Sequence, residues 1–301
     1  MPKKRILIVG LPLFAKRVKT SLEKNDRQNS YVALDTYYRL LHKIIAPYYL
    51  ISADVIYSIN GTIGNSKLLD WAFKLNKKVV MHWVGSDVTT AINQFKKGEI
   101  DQRFLEAKHL TDASWLKEEL KPIGINAKLQ YISGYTIDRM PEELPKQFAV
   151  LSYIPKNRAD FYGRNQYFEL AENFPDLTFY IVGSERKDHE DPPENIVFKG
   201  WVSQMDKEID RVVVTVRFVK HDGMSQFVLE SLARGRYVLY NYDLDGSSLT
   251  KSTQDMVREI SRLKSKFDSK ELTLNQKGIE MIKKNFSPSK VLEELKDHLL
   301  K

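Results

Sequence analysis

No cysteine occurs among the 301 residues. That absence excludes a thiolate nucleophile, a disulfide framework and any zinc or iron–sulfur centre held by sulfur. Long apolar runs are missing as well. No stretch reaches the ~20 residues needed to cross a bilayer. The run at 6–15 follows Lys3, Lys4 and Arg5 as a leader would, but Gly10 and Pro12 interrupt it. Lys16, Arg17 and Lys19 then stand where small residues would mark a cleavage site, so the run reads as a buried first strand over 5–9. Internal repeats and low-complexity segments are also lacking. With 42% hydrophobic and 29% charged residues the composition is that of a globular chain, not of a disordered tail or a fibre. At about 150 residues per domain the length predicts two domains.

Acidic residues are scarce in one half only. Residues 1–147 carry 23 basic and 15 acidic side chains, whereas 148–301 carry 24 of each. A positive body beside a neutral one suits an anionic partner for the first half: a membrane surface, a charged substrate or nucleic acid. The alternative is a merely solubilising surface. No recognised module or aromatic–basic repeat supports nucleic acid, which is therefore not expected as a partner. Segment 37–50 mixes tyrosines, aliphatics, Arg39, His42 and Lys43. It reads as a helix and loop resting at a lipid interface, or equally as a core helix. The expected location is cytoplasmic, with a peripheral position on the inner face of the cell membrane as its extension.

Short apolar runs alternate with helical periods, the pattern of an α/β protein with parallel sheets. In the first half the runs predict strands at 5–9, 55–59, 78–83 and 128–132, with helices near 37–45, 68–75 and 113–120. The helix near 113 takes its start from the Thr111–Asp112–Ala113–Ser114 run. Two prolines in 140–147 read as an interdomain linker. Beyond it strands are predicted at 148–153, 178–182, 195–198, 212–217 and 236–240. The helices there are 166–173, 205–211, 224–234 and a closing helix at 287–300. The expectation is two Rossmann-like domains, 1–147 and 148–301, facing a central cleft, with the closing helix belonging to the second.

The most informative stretch is VRFVKHDGMSQFVLESLARGRYVLY, residues 216–240. It reads as strand, tight turn and helix. Asp222 is expected to cap the helix, and Gly223 to let the backbone approach a ligand. The amides of Met224, Ser225 and Gln226 would then point out of the helix start as an anion site. Arg217, Lys220 and His221 would add positive charge around a diphosphate. Glu230, about two turns on, would reach a ribose. On spacing alone a plainer reading stands beside this one: Asp222 an N-cap, Gly235 a C-cap and Glu230 a surface helix residue.

This stretch resembles the nucleotide-sugar motif of GT-B glycosyltransferases, especially the retaining family four. There a Glu–seven residues–Glu signature sits on the same unit; Asp222 matches its first acid and Glu230 its second. The resemblance extends to FELAENFPDLTFYIVGSE and NIVFKGWVSQMDKEIDRVVVTV in the second half, and to ADVIYSING, VVMHWVGSDV and HLTDASWLKEELKPIGINAKLQYISG in the first. Two pieces depart from the family pattern. The glycine-rich first loop is reduced to Gly10, and the usual Arg and Lys after the first strand of the second domain are out of register, with Lys156, Arg158 and Arg164 nearby. The resemblance implies a hexosyl-transferring enzyme of the GT-B fold that uses a nucleotide-diphosphate sugar and needs no cofactor or metal. It further implies that Glu230 binds the ribose, and that Asp222 with the amides of Gly223, Met224 and Ser225 holds the transferred sugar and diphosphate. Gly183 and the turn at Gly200, Trp201 and Val202 would border the base, with core packing the alternative for Trp201. His82, in HWVGSD, would contact the donor sugar, against the alternative of a histidine satisfied within the fold. Asp87 would bind acceptor or act as a base, or else cap the next helix. The implied acceptor is a glycan or a lipid-linked sugar, and the implied stereochemistry is retention. The other readings are a non-catalytic, glycosyltransferase-like nucleotide-binding protein, and a nucleotide-sugar epimerase, for which no clear acid/base pair is evident.

Overall fold

The computed structural model describes residues 2–64, 66–132 and 141–301. These fall into two compact units, the first of which also takes in residues 222–224 and 286–301. In the first unit the chain runs β1 (Arg5–Gly10), α1 (Pro12–Asn25), β2 (Ser30–Ala33), α2 (Leu40–Ser52), β3 (Val55–Ile59) and α3 (Lys67–Lys74). It continues through β4 (Lys78–Trp83), α4 (Ser86–Lys96), α5 (Gln102–Leu105), β5 (Lys108–Thr111), α6 (Ser114–Leu120) and β6 (Lys128–Leu129). The strands form one parallel sheet in the order β2-β1-β3-β4-β5-β6. Ile6 to Val9 and Val55 to Ile59 are buried along their whole length because helices cover both faces of the sheet, as parallel strands require.

Helix α2 begins at Leu40, three residues later than the apolar period suggests. The Asp35 carboxylate accepts the N–H groups of Tyr37 and Tyr38, and the Asp35 N–H donates to Nδ1 of His42. That local turn competes with helix at 35–38. Strand β6 is shorter than expected and ends at Leu129.

The second unit contains β7 (Ala149–Tyr153), α7 (Arg164–Glu172), β8 (Thr178–Val182), β9 (Ile196–Phe198), α8 (Met205–Asp210), β10 (Val214–Arg217) and α9 (Gln226–Ala233). After these come β11 (Tyr237–Tyr240), β12 (Ser248–Leu249), α10 (Thr253–Asp268) and α11 (Gln276–Asn285). Its parallel sheet has the order β12-β11-β10-β7-β8-β9. Val150, Phe179, Ile181, Val214 and Val216 pack there against Tyr167 and Leu170 of α7 and Met256, Ile260 and Leu263 of α10.

The closing helix α12 (Pro288–Leu300) corrects the expected domain assignment. Leu292, Leu295 and Leu299 join Ile6, Ile8 and Val80 in the core of the first unit, not the second. Three lysines hold its last carbonyls. Lys4 Nζ donates to Leu300 O at 2.8 Å, Lys78 Nζ to Leu299 O at 3.0 Å and Lys108 Nζ to His298 O at 2.7 Å. Cations belong at this negative end of a helix dipole. Burial, with Lys108 and Lys4 close by, lowers the Lys78 ammonium to a pKa of about 8. The expected linker carries no regular structure over 141–147; residue 140 lies outside the described residues.

Candidate functional site

In an open α/β sheet, ligands gather at the carboxyl ends of the strands where the strand order reverses direction. In the second unit that point lies between β7 and β10, which are hydrogen-bonded neighbours although two helices and two strands separate them in the chain. Arg217 is the last residue of β10. It is buried, and its guanidinium carbon lies 4.7 Å from the Tyr162 ring centroid. Gly183 ends β8 with φ +102°, and a Cβ there would stand 3.0 Å from the Tyr153 ring. Its N–H donates to Gly200 O at 2.8 Å, which ties together the loops after β8 and β9. Trp201 follows and is 84% exposed. It is therefore an aromatic face open to solvent, not core. Of the loop cations after β7, Lys156 pairs with Asp188 and Arg164 with Asp160. Arg158 holds a left-handed φ of +74° and lays its guanidinium 4.0 Å from the Phe161 centroid.

Helix α9 departs from expectation at its start. The N-cap is Ser225, whose Oγ accepts the Val228 N–H at 3.5 Å, so Asp222 does not cap it. Glu230 is half-buried in the fifth position of the helix, one turn in and about 6 Å along its axis. It sits nearer the helix start than the eight-residue spacing from Asp222 implies.

Residues 222–224 pack within the first unit. Trp115 Nε1 donates to Asp222 O at 2.7 Å, and a Cβ on Gly223 would come 2.1 Å from Val84 O. Gly223 is thus needed for a close backbone approach, to protein. The Met224 side chain packs against the cluster that contains Ile63, Trp83 and Val88. The Met224 amide, expected to be free for an anion, donates to the Asp112 carboxylate. Asp112 is buried, and its Oδ1 has no hydrogen-bond partner. Burial, then the charges of Asp87 and Asp222, push this carboxyl well above the usual carboxylate range. Sequence reasoning missed it by reading Asp112 as part of a helix start. Local sequence offered little signal, because the strand before it, β5, reads Lys-His-Leu-Thr with a single aliphatic residue.

His82 does not face a ligand. It is fully buried in β4. Nε2–H donates to Gln130 O at 2.7 Å, so Nδ1 is the acceptor for Tyr57 OH at 2.6 Å. Burial lowers its pKa to about 3, and the ring is neutral. The histidine is satisfied within the fold. Asp87 lies in the first turn of α4 and is also buried. It accepts the N–H groups of Gly61 at 2.7 Å, Gly85 at 2.8 Å, and Val84 and Val88 at 3.1 Å. A carboxylate offers about four lone-pair sites, and these bonds use them. Asp87 therefore fixes loop geometry instead of standing ready as a base, even though burial raises its pKa.

The first sheet has its own reversal point between β1 and β3. A cavity of about 850 Å³ opens there, lined by Gly10 at the end of β1, Ser58 and Asn60 around the end of β3, and Ser86 and Thr90 of α4. All of its walls come from the first unit.

No protein-family model matches the sequence, and no curated protein matches it. The structure does find counterparts among solved proteins. HepE of Anabaena, solved with UDP-glucose, is 10% identical with a TM-score of 0.68, over 98% of this chain and 99% of that one. TarM of S. aureus, solved with fondaparinux, α-GlcNAc-glycerol and UDP, is 14% identical with a TM-score of 0.63, over 86% of this chain. The match spans 59% of TarM's length. UDP-GlcNAc 2-epimerase of Neisseria meningitidis, bound to UDP-GlcNAc, is 12% identical with a TM-score of 0.55, over 99% of each chain. At these identities the likeness defines the fold. The chain has the GT-B architecture of two parallel six-stranded α/β units.

Proposed function

We propose that this protein is a glycosyltransferase that binds a nucleotide-diphosphate sugar on its second unit. The observation that supports this most is the placement of Arg217 at the carboxyl end of β10, beside the reversal point, with Glu230 in the fifth position of the next helix. A diphosphate accepts from a guanidinium and from amides at a helix start, while a carboxylate one turn in takes two ribose hydroxyls. Gly183 and exposed Trp201 would border the base, and Arg158 would add charge. Stabilising the departing diphosphate is the catalytic task. In this reading oriented N–H groups and guanidinium groups perform it without a metal, and the sugar is a hexose transferred with retention. Glu230→Ala is expected to lower turnover at least 100-fold and abolish UDP binding, with a melting temperature within 2–3 °C of wild type (about the shift of a surface substitution). Wild-type transfer by that variant would remove the assignment. The anomeric configuration of the product and insensitivity to EDTA test retention and metal independence.

A second reading, a nucleotide-binding protein without transferase activity, gains support from residues 222–224. The Met224 amide is committed to Asp112, so fewer donors are left for a diphosphate. Donor binding without hydrolysis or transfer would favour it.

We further propose that the first unit rests on an anionic membrane through α2 and the turn before it. Tyr38, Leu40, Leu41, Ile44, Tyr48 and Ile51 are all more than 60% exposed there. No acidic residue occurs over 36–53, which carries Arg39 and Lys43. An apolar face bordered by cations is the chemistry of an interfacial helix. Co-sedimentation with vesicles containing phosphatidylglycerol is expected, and should be lost in Leu41→Glu with Ile44→Glu. Equal recovery in the supernatant with and without anionic lipid would defeat this.

A further inference from the structure

The cavity of the first unit has a chemistry of its own. Its volume of about 850 Å³ lies within the range of small-molecule sites. Hydroxyl and amide side chains furnish part of the wall, among them Thr36, Ser86 and Gln94. Such a lining suits a polyhydroxylated ligand, because each hydroxyl of the ligand can be paired as it leaves water. Two aromatic residues, Tyr37 and Trp71, also line the cavity and are 46% and 51% exposed. A half-exposed ring offers the apolar face on which the C–H side of a sugar can lie.

Charge narrows the ligand further. Lys43 from α2 and Lys67 from the first turn of α3 line the cavity, and both are exposed. Neither forms an ion pair among the described residues, although nine other lysines do. The one acidic residue in the lining is Asp87, whose oxygens are already engaged by four backbone N–H groups. The cavity therefore presents two ammonium groups without an ion-pair partner beside a space walled by both apolar and hydrogen-bonding side chains. Uncharged acceptors would leave both without a partner, whereas a phosphate ester would engage them.

We infer that this cavity is the acceptor site and that its acceptor is a sugar or polyol bearing a phosphate group held by Lys43 and Lys67. The inference rests on the glycosyltransferase reading for the word acceptor; the binding chemistry stands without it. The phosphate belongs either to a soluble sugar phosphate or to a phospholipid headgroup. Both present the same anion to the same two lysines.

Isothermal titration of the full chain separates the outcomes. Glucose 6-phosphate is the soluble probe, and glucose is the uncharged control. Vesicles of phosphatidylcholine with phosphatidylinositol are the lipid probe, with phosphatidylcholine carrying the same fraction of phosphatidylserine as the charge-matched control. The expected result is that one of the two phosphate probes binds at least 10-fold more tightly than its control. The preference should disappear in Lys43→Ala with Lys67→Ala, while UDP affinity stays within twofold of wild type. Which probe binds identifies the source of the phosphate. Lys43→Arg with Lys67→Arg should retain the preference, which a purely structural effect of the alanine pair would not explain. Binding of neither phosphate probe by a protein that still binds UDP would overturn the inference and leave the donor reading standing. A preference that survives the double alanine variant would overturn it as well. Loss of UDP binding in the wild type would instead strike the donor reading alone.

Discussion

The two units are built on the same plan and use it differently. Each has six parallel strands, yet the first runs β2-β1-β3 around its reversal point, whereas the second runs β8-β7-β10. At the first reversal the strand ends are small, and the chain leaves a cavity lined by Gly10, Ser58 and Asn60. At the second, the strand ends in Arg217 against the Tyr162 ring, and the adjoining loops carry further cations. Polar groups are handled in opposite ways as well. The first unit buries neutral His82 and the carboxyls of Asp87 and Asp112, whereas the second buries a guanidinium, Arg236, beside Asp210. One fold plan thus yields a roomy, hydroxyl-rich recess in one unit and a compact cationic edge in the other.

Four substitutions and one titration would break or sharpen that contrast, beginning with the largest effect. Gly10 holds φ +102°, and a Cβ there would lie 1.9 Å from Ile59 O. Gly10→Val should therefore prevent folding of the first unit or cost about 4 kcal/mol or more, seen as loss of its denaturation transition. Normal stability would mean that the recess does not depend on this turn. In the second unit Asp210→Ala strands the buried Arg236 guanidinium and removes the partner of Arg234. The expected loss is about 3 kcal/mol in urea denaturation, with the donor affinity of correctly folded protein unchanged. A loss below about 1 kcal/mol would show that the ion cluster is not what seats the α8–α9 corner. Ser225→Ala removes the α9 cap and should cost about 1 kcal/mol, whereas Asp222→Ala should leave the stability of α9 unchanged. The reverse order would restore Asp222 as the cap.

The smallest expected effect is a titration. His82 in the folded state has a pKa near 3, below the ordinary histidine value of about 6.5. The unfolded chain therefore binds more protons between those values, and this group's stabilisation is lost as pH falls from about 6.5 towards 3. Asp87 and Asp112, whose carboxyls are pushed up, act in the opposite sense over part of the same window. The site-resolved measurement is the cleaner one. Nitrogen chemical shifts should show His82 neutral at pH 5, and a midpoint near 6.5 would mean that the ring is open to solvent.

Much of the sheet framework was legible in the sequence because buried parallel strands leave uninterrupted apolar runs. Strands 55–59, 78–83 and 178–182 are observed with the boundaries that their runs suggest. Strands β2, β5 and β12 and helices α1, α4, α5, α10 and α11 escaped notice. Their apolar residues are interleaved with charges, as in Thr253–Asp268, and the alternation of strand and helix could be drawn without them. The strand–turn–helix unit could be read directly, and with it the positions of Arg217 and Glu230 in strand and helix. The cap, the commitment of Met224 to Asp112 and the sealing of His82 could not. Each depends on a partner more than 25 residues away or on which hydroxyl the turn brings to the helix start. Local spacing carries neither piece of information. The allegiance of α12 was hidden for the same reason, since its apolar stripe fits either sheet and only the partners Ile6, Ile8 and Val80 decide.

That allegiance bears on how the protein is made. Translation delivers residues 286–301 only after the whole second unit has been synthesised, so the greasy flank of β1 and β4 must wait uncovered on the ribosome. A nascent chain paused at residue 285 would expose Ile6, Ile8 and Val80 together with the three lysines meant for the helix end. A sheet synthesised before the second unit is therefore completed only after it, and chaperone dependence should concentrate in that interval.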